Sequence, residues 1–457
     1  MRWTLLDSNP GEREEDFTLR QIRLCLERAG HSVLRLCTAV GAYCNTPLRI
    51  PDEIEQTLKA FMPQRILWCG LAGLPYFALW SREPWLSIPK IALWFDEPVT
   101  RVECIGLGEV MRRTAGRTDF FHGIWDGYWR DDALNRWGIQ ARAIHLAADE
   151  NEYHPLLTSH LSPPVHLGAG SLTSHLDVVF IGMLHSAESI LKLVKPLPRG
   201  LSALTAAIRA RVEKDLSPLT SHLSPPIPSW DRLWKEAEAE LKPKERNLIG
   251  IECEKEPLAL CSMRYAAWAM AKNAVRIRIL RKALEVAPLL VFCEQKHLGH
   301  ARETEWRALL GEQGDRLRIV DTTGVKADQL GRLYHEGIIH IQATDPQSVQ
   351  GGIPYRVFQT AASGRPLLTD LRPELLECFE PGKEILGYSS ANDFVPALAA
   401  ALANRDQLIE IGRAARRRFE REHTWRHRVA TIEGWIAVGG LGEAAGATGS
   451  PSTAKFS

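Results

Sequence analysis

The chain of 457 residues lacks any run of about 18 to 20 uninterrupted apolar residues, the length a membrane-spanning helix needs, so no integral membrane segment is expected. Its nine cysteines form no C-x-x-C pair, which speaks against both a disulfide framework and a thiolate zinc site and fits a reducing cytoplasm. A formal net charge of +1 gives no bulk attraction to nucleic acid or to an anionic membrane surface. No G-x-G-x-x-G follows the first apolar segment, so a dinucleotide cofactor has no direct support. Asp-x-Asp is absent too, and no metal site is expected. The opening MRWTLLD carries one Arg and reaches Asp7 too soon for a secretory leader, and reads instead as a strand.

What is present is an ordinary globular composition, 45% hydrophobic and 24% charged, on a chain long enough for two cores. Short apolar strands are expected at Trp3 to Leu6, His31 to Cys37, Arg65 to Cys69, Ile91 to Phe95, Phe120 to Ile124 and Ala143 to Leu146, separated by helical patterns. That alternation implies parallel neighbours joined by crossovers, an α/β class in which ligands bind beyond the carboxyl ends of the strands. The rule singles out Asp7, Gly70, Asp96, Glu97, His122 and Asp126. An acidic residue after a strand commonly serves as a turn former or helix cap. Among these Asp96 is the best candidate for chemistry, because three apolar residues precede it and Pro98 stops the strand.

The octapeptide LTSHLSPP occurs at residues 157–164 and again at 219–226; its Ser, Thr and Pro content marks loops or linkers rather than a solenoid repeat. His154, His160 and His166 are spaced by six, which matches no single helix face, and carry no metal expectation. The division expected is a first domain over 1–155, a linker over 156–176 and a second domain over 177–436, with a helical insertion at about 200–275. A disordered Gly/Ala/Ser-rich tail covers 437–457. In the second half DVVFIG opens another sheet, continued at Leu289 to Cys293, Leu317 to Val320, Ile338 to Ile341 and Leu367 to Thr369.

The most informative segment is GIPYRVFQTAASGRPLLTD, from Gly352 to Asp370. Pro354 suits a helix start, Tyr355 to Ser363 gives about two turns, and Gly364 stops them. Gly351 and Gly352 allow backbone to approach a ligand, first-turn amides attract an anion, and Arg356 can grip phosphate oxygens with two parallel donors. Gln359, one turn on, can bond vicinal hydroxyls. The residues alone serve a plain helix entry with a surface arginine equally well.

This segment, followed by ELLECFEPGKEILGYSSANDF and the helix ending RRRFEREHTWRHRV, resembles the C-terminal domain of the CgeB-like spore-maturation glycosyltransferases, and more distantly the retaining glycosyltransferases of group 1. The resemblance is close from Ile338 to about Ala430. It implies the GT-B fold, two Rossmann-like domains facing a cleft, and a nucleoside-diphosphate sugar held mainly by the second domain. On that likeness the donor side comprises Arg356, Gln359 and Lys383, with Gly352 and Tyr355 beside them; strand-end position alone puts Asp7 and His122 on the acceptor side and makes Asp96 the base or the group that positions the acceptor hydroxyl. The implied reaction is retaining and metal-independent, with no cofactor beyond the nucleotide-sugar donor and with an unidentified acceptor. The relatives carry Glu where Gln359 stands, a second Glu at the position of Gly351, and a basic pair where Met183 to Ser186 follow Gly182. These departures leave a catalytically degenerate binding or scaffold protein of the same fold as the alternative.

Between Arg413 and Arg428 there are seven arginines against two glutamates, with Leu408, Ile411, Ala415 and Phe419 as an apolar stripe. A solvated face is the expectation, and nucleic acid is not expected as a partner.

Overall fold

The computed structural model describes residues 1–7, 16–37, 52–74, 87–95, 102, 107–153, 178–214, 230–295, 300–311, 314–325, 327–345, 348 and 351–439. Asp96, Glu97, both LTSHLSPP copies, the three spaced histidines from His154 to His166 and the tail from 440 onward lie outside them.

The first sheet holds β1 (Arg2–Asp7), β2 (Ser32–Cys37), β3 (Arg65–Cys69), β4 (Lys90–Trp94), β5 (Phe120–Ile124) and β6 (Arg142–Ala143), in the order β2-β1-β3-β4-β5-β6. The second holds β7 (Val178–Ile181), β8 (Leu289–Cys293), β9 (Leu317–Asp321), β10 (Ile339–Ile341), β11 (Leu367–Asp370) and β12 (Leu386–Tyr388), in the order β12-β11-β10-β7-β8-β9. All pairings between these strands are parallel. Strands such as IALW and LLVFC are buried along their whole length, as expected of a sheet covered by helices on both faces. In each sheet the order reverses once, between β1 and β3 and between β7 and β10. Such reversals open a crevice at the carboxyl ends of the strands.

Five described helices connect β7 to β8. The last, Pro257–Val286, has 30 residues and spans about 45 Å at the usual 1.5 Å rise. The sixth strand is shorter than expected from sequence, because beyond Ala143 the buried Ile144 and Leu146 continue without sheet pairing. The strand LGY was not expected; three residues with a central glycine carry no period.

The last helix of the expected second domain, 177–436, reaches back to the elements of the first sheet. Helix Trp425–Gly439 lies on the first domain. Trp425, 1% exposed, donates its Nε1–H to Gln21 Oε1 at 2.6 Å. Arg65 pairs with Glu433 at 3.3 Å, and Arg142 lies 5.7 Å from the Trp435 ring. Arg428 donates from Nε to His145 O at 2.9 Å and from Nη2 to Leu146 O at 3.1 Å.

A second junction ties the domains at the strand ends. Asp126, fully buried, caps helix Gly127–Trp137 by accepting from Tyr128 N at 2.9 Å. Its other oxygen accepts from Gly351 N at 2.9 Å and Gly352 N at 2.8 Å. In return Glu374 Oε1 accepts from Gly127 N at 3.1 Å and Arg130 Nη2 at 3.0 Å. A Cβ at Gly351 would meet Glu374 Cγ at 2.6 Å, and one at Gly352 would meet the Trp125 ring at 2.9 Å, so both glycines are required by close approach.

Two outcomes test this packing. Trp425→Ala removes a buried ring and is expected to cost about 3–5 kcal/mol in urea denaturation. Glu374 is pushed up from 4.5 to about 7, first by burial, with Arg130 pulling it down and Asp126 raising it further. A carboxyl that binds its proton more tightly when folded contributes stability in full below about pH 4.5, and that contribution is lost as pH rises through about 7. Urea midpoints between pH 5 and 8 should therefore fall in the native protein and lose that component of the slope in Glu374→Gln; parallel profiles would contradict the assignment.

Candidate nucleotide-sugar cleft

At the carboxyl ends of β7, β8 and β9 a cavity of about 260 Å³ opens between the two domains. Phe17 and Tyr153 of the first domain face Gly182, Met183, Thr322, Tyr334, Tyr355, Arg356 and Gln359 of the second. Larger cavities of about 710 and 660 Å³ lie beside helix Arg405–Glu422 and beside helix Pro257–Val286. The smaller one is the candidate site, because it combines the carboxyl ends of the second sheet's strands with converging polar groups from both domains. Gly182 is needed at the tip of β7: a Cβ there would stand 2.6 Å from the Phe180 ring, and its N–H donates to Phe292 O at 2.9 Å.

One cation lines this cavity and two more, Arg276 and Lys272, stand behind it without lining it. Arg356 lines the cavity, and its Nε is buried with no hydrogen-bond partner. Arg276, 3% exposed, donates from Nη1 to Met183 O at 2.5 Å while its Nε is likewise unpartnered. Lys272, one turn earlier on helix Pro257–Val286, lies 3.1 Å from Asp345 Oδ2 and 4.4 Å from the Trp268 ring. Burial, followed by the neighbouring charge of Arg356, pushes Arg276 down to about 9, with Asp345 opposing. Lys272 is pushed down to about 8 by burial, with Asp345 opposing and Arg276 and Arg356 adding to the depression. Burial is the larger cause of both shifts; the mutual repulsion of the three cations adds to it, and an anion beside the tip of β7 would relieve that part. The basic pair missing after Gly182 thus has a counterpart arriving from a different element. The signal in the sequence was Lys272 and Arg276 at i and i+4 within an Ala-rich helix, two cations on one face.

Gln359 sits 6% exposed in the wall, its amide held between two phenols. Its Nε2 donates to Tyr153 OH at 2.9 Å and its Oε1 accepts from Tyr334 OH. Burial raises the pKa of both phenols, so both stay protonated. Sequence reasoning missed both tyrosines, since neither stands in a motif. The Tyr355 hydroxyl meets Thr18 Oγ1 across the domain boundary, and its ring packs edge-on against Phe17 at 5.4 Å.

Other expected site residues lie elsewhere. The Gly352 amide is not open to a ligand, because the Asp126 carboxylate already occupies it together with that of Gly351. Lys383 is outside the cavity, with a side chain 72% exposed and paired with Glu380 at 2.6 Å. Asp7 is fully buried at the end of β1, where Arg35 bonds it at 2.8 Å and Asp16 N at 3.1 Å; it ties the end of β1 to the start of helix Phe17–Arg28. His122 stands mid-strand in the first core, with Nε2 at 2.9 Å from Thr114 Oγ1, and burial pushes it down to about 4. Neither of these two lines the cavity. Among the described residues no group of three His, Cys, Asp or Glu side chains is disposed to hold a metal ion, and no helix is long and apolar enough to cross a membrane.

Residues 276–434 match the family described as glycosyl transferase-like. No curated protein sequence matches the chain. Among solved structures the chain is similar to sucrose-phosphate synthase from Thermosynechococcus elongatus, at 12% identity and a TM-score of 0.52, over 96% of this chain and 99% of that one. A glycosyltransferase from Rickettsia africae matches at 10% identity and a TM-score of 0.49, over 97% and 99%. Anabaena HepE in complex with UDP-glucose matches at 11% identity and 0.46, over 96% and 98%. At such identities the likeness is one of fold: two parallel six-stranded sheets facing a cleft, the GT-B architecture, with a C-terminal segment that is glycosyl transferase-like in sequence.

Proposed function

We propose that the chain is a glycosyltransferase that takes its sugar from a nucleoside-diphosphate donor, of the CgeB-like type and acting in the cytoplasm. The observation that carries this reading is the trio Arg356, Arg276 and Lys272 at the switch point of the second sheet. Cleavage of the sugar–phosphate bond leaves negative charge on the departing diphosphate, and fixed cations in a site poor in water stabilise that charge as it develops. In this scheme Arg356 meets the diphosphate directly, while Arg276 and Lys272 set the potential behind it. The reaction is metal-independent and retaining, with the diphosphate leaving from the face the acceptor enters. Tyr334, Gln359 and Tyr153 form the polar wall against which the donor's hydroxyls lie, and Asp96 acts on the acceptor hydroxyl. The matching family and the fold support a transferase; the sugar and the acceptor are for experiment to identify.

The second reading, a degenerate GT-B protein that binds without transferring, is favoured by the occupied amides of Gly351 and Gly352 and by the neutral Gln359. Hydrolysis of a nucleotide sugar by the purified protein, lost in Gln359→Ala, would exclude it.

Two measurements test the main reading. UDP or GDP at about 100 times its Kd should add about 2.7 kcal/mol of stability, seen as a rise in Tm. That rise should vanish in Arg356→Ala, and no rise with any nucleoside diphosphate would sink the proposal. Second, Lys272 titrates near 8 in the free protein and a bound diphosphate favours its charged form. Affinity should therefore be greatest below about pH 8 and decline above it. Lys272→Met should bind more weakly and lose that decline.

A further inference from the structure

The largest of the three cavities, about 710 Å³, is built at the opposite edge of the second sheet from the cleft. Ile338 and Pro366, which line it, immediately precede β10 and β11, whereas the cleft opens at the carboxyl ends of the strands. Its wall is helix Arg405–Glu422, the arginine-rich segment whose charge nothing in the transferase reading uses. The sequence suggests a solvated face there, but the fold bends that face over a concavity lined by Arg365, Arg405, Arg413, Arg416 and Arg417.

Glu410, Glu420 and Glu336 stand against Arg413, Arg416 and Arg365 and offset part of their charge. Arg413 pairs with Glu410 at 2.6 Å, both well exposed, and such a pair contributes little. Arg416 pairs with Glu420 at 2.7 Å and also donates to carbonyls, those of Tyr153 at 3.2 Å, of Glu150 at 3.5 Å and of Ala362. Arg365 donates to His335 O at 2.6 Å. Carbonyls satisfy N–H donors without neutralising a guanidinium. Exposed Arg417 has no hydrogen bond or ion pair among the described residues. Between the arginines the floor is apolar: Leu408 is 2% exposed and Ile409 presents half of its surface. A rim of guanidinium forks over an apolar floor, in a volume within the usual range of small-ligand sites, suits an anion carried on a small uncharged body.

We propose that this cavity is a second binding site, one that takes a phosphate-bearing ligand between Arg365 and the arginines of helix Arg405–Glu422. The site is coupled to the cleft through one short helix. Tyr355–Ala362 begins with Tyr355 and Arg356 in the cleft and runs out through Ser363 to Arg365 at the cavity. Arg416 holds the end of that helix, at Ala362 O, together with Tyr153 O of the first domain. An occupant that draws Arg416 therefore bears on the helix carrying Arg356 and on the tyrosine bonded to Gln359. The proposal stands independently of what the cleft binds.

Titration of inorganic pyrophosphate into the full chain carrying Arg356→Met, which weakens the cleft, tests the site directly. Binding should persist and should weaken about tenfold or more when Arg405→Gln and Arg417→Gln are added, both exposed positions whose replacement leaves Tm nearly unchanged. Vesicles of phosphatidylglycerol in phosphatidylcholine form the second arm. Cosedimentation lost with the same two substitutions identifies the phosphate as a lipid headgroup, while pyrophosphate binding without cosedimentation identifies a soluble phosphate ester. The absence of both kinds of binding, or binding indifferent to Arg405→Gln and Arg417→Gln, overturns the proposal.

Discussion

Everything in the cleft depends on one buried carboxylate. Asp126 accepts three backbone N–H groups, one from its own helix and two from the Gly351–Gly352 pair of the other domain. A buried charge is tolerated only when hydrogen bonds replace its lost water, and here they come from both sides of the domain boundary at once. The geometry requires glycines, because a Cβ at either position would collide with Glu374 or Trp125. The glycine pair that looks in sequence like an approach for ligand phosphate is therefore the approach of one domain to the other. Fixing this point also fixes the register of Tyr355, Arg356 and Gln359, which follow on the same short helix.

With the amides of Gly351 and Gly352 engaged, positive potential for any anion in the cleft must come from side chains. The long helix Pro257–Val286 delivers it. Its length carries Lys272 and Arg276 to the tip of β7, and burial there concentrates a charge that on the surface would be screened. Asp345, which follows β10, is the carboxylate that opposes their depressed pKa values. The switch point between β7 and β10 thus has an acidic residue on one side and cations on the other. An anion entering it meets charge that the protein has already desolvated, the arrangement preorganised catalysis calls for.

Much of this was legible in sequence where a local pattern decides the structure. The strands at Arg65–Cys69, Phe120–Ile124 and Leu289–Cys293 stand where their apolar runs put them, and Pro354 and Gly364 bracket the helix as their backbone preferences require. The rest was set by contacts between residues far apart in the chain. Nothing in TWRHRV says that Trp425 will bond Gln21, nor does any motif bring Tyr153 to Gln359. Asp126 was visible as a strand-end acid, but its partners lie more than two hundred residues on. Conversely Asp7 and His122, chosen by strand position, turn out to be held by Arg35 and Thr114, because a position on a strand does not say which way its polar group is satisfied.

Gln359 shows how a departure from a resemblance can be a local fit. Both neighbouring phenols are buried and kept protonated, and the bonds run in one direction: Tyr334 donates to the amide oxygen, and the amide nitrogen donates to Tyr153. Only a side chain with an acceptor at one end and a donor at the other completes that chain. A carboxylate would accept from both phenols and place a charge in a wall that is 6% exposed, at a desolvation cost that the two hydrogen bonds offset only in part. The amide holds Tyr153 of the first domain against Tyr334 of the second without that cost. It still leaves one carbonyl lone pair and one N–H free to meet a hydroxyl. An amide at this position therefore keeps charge out of the wall while retaining the capacity to orient a polar ligand.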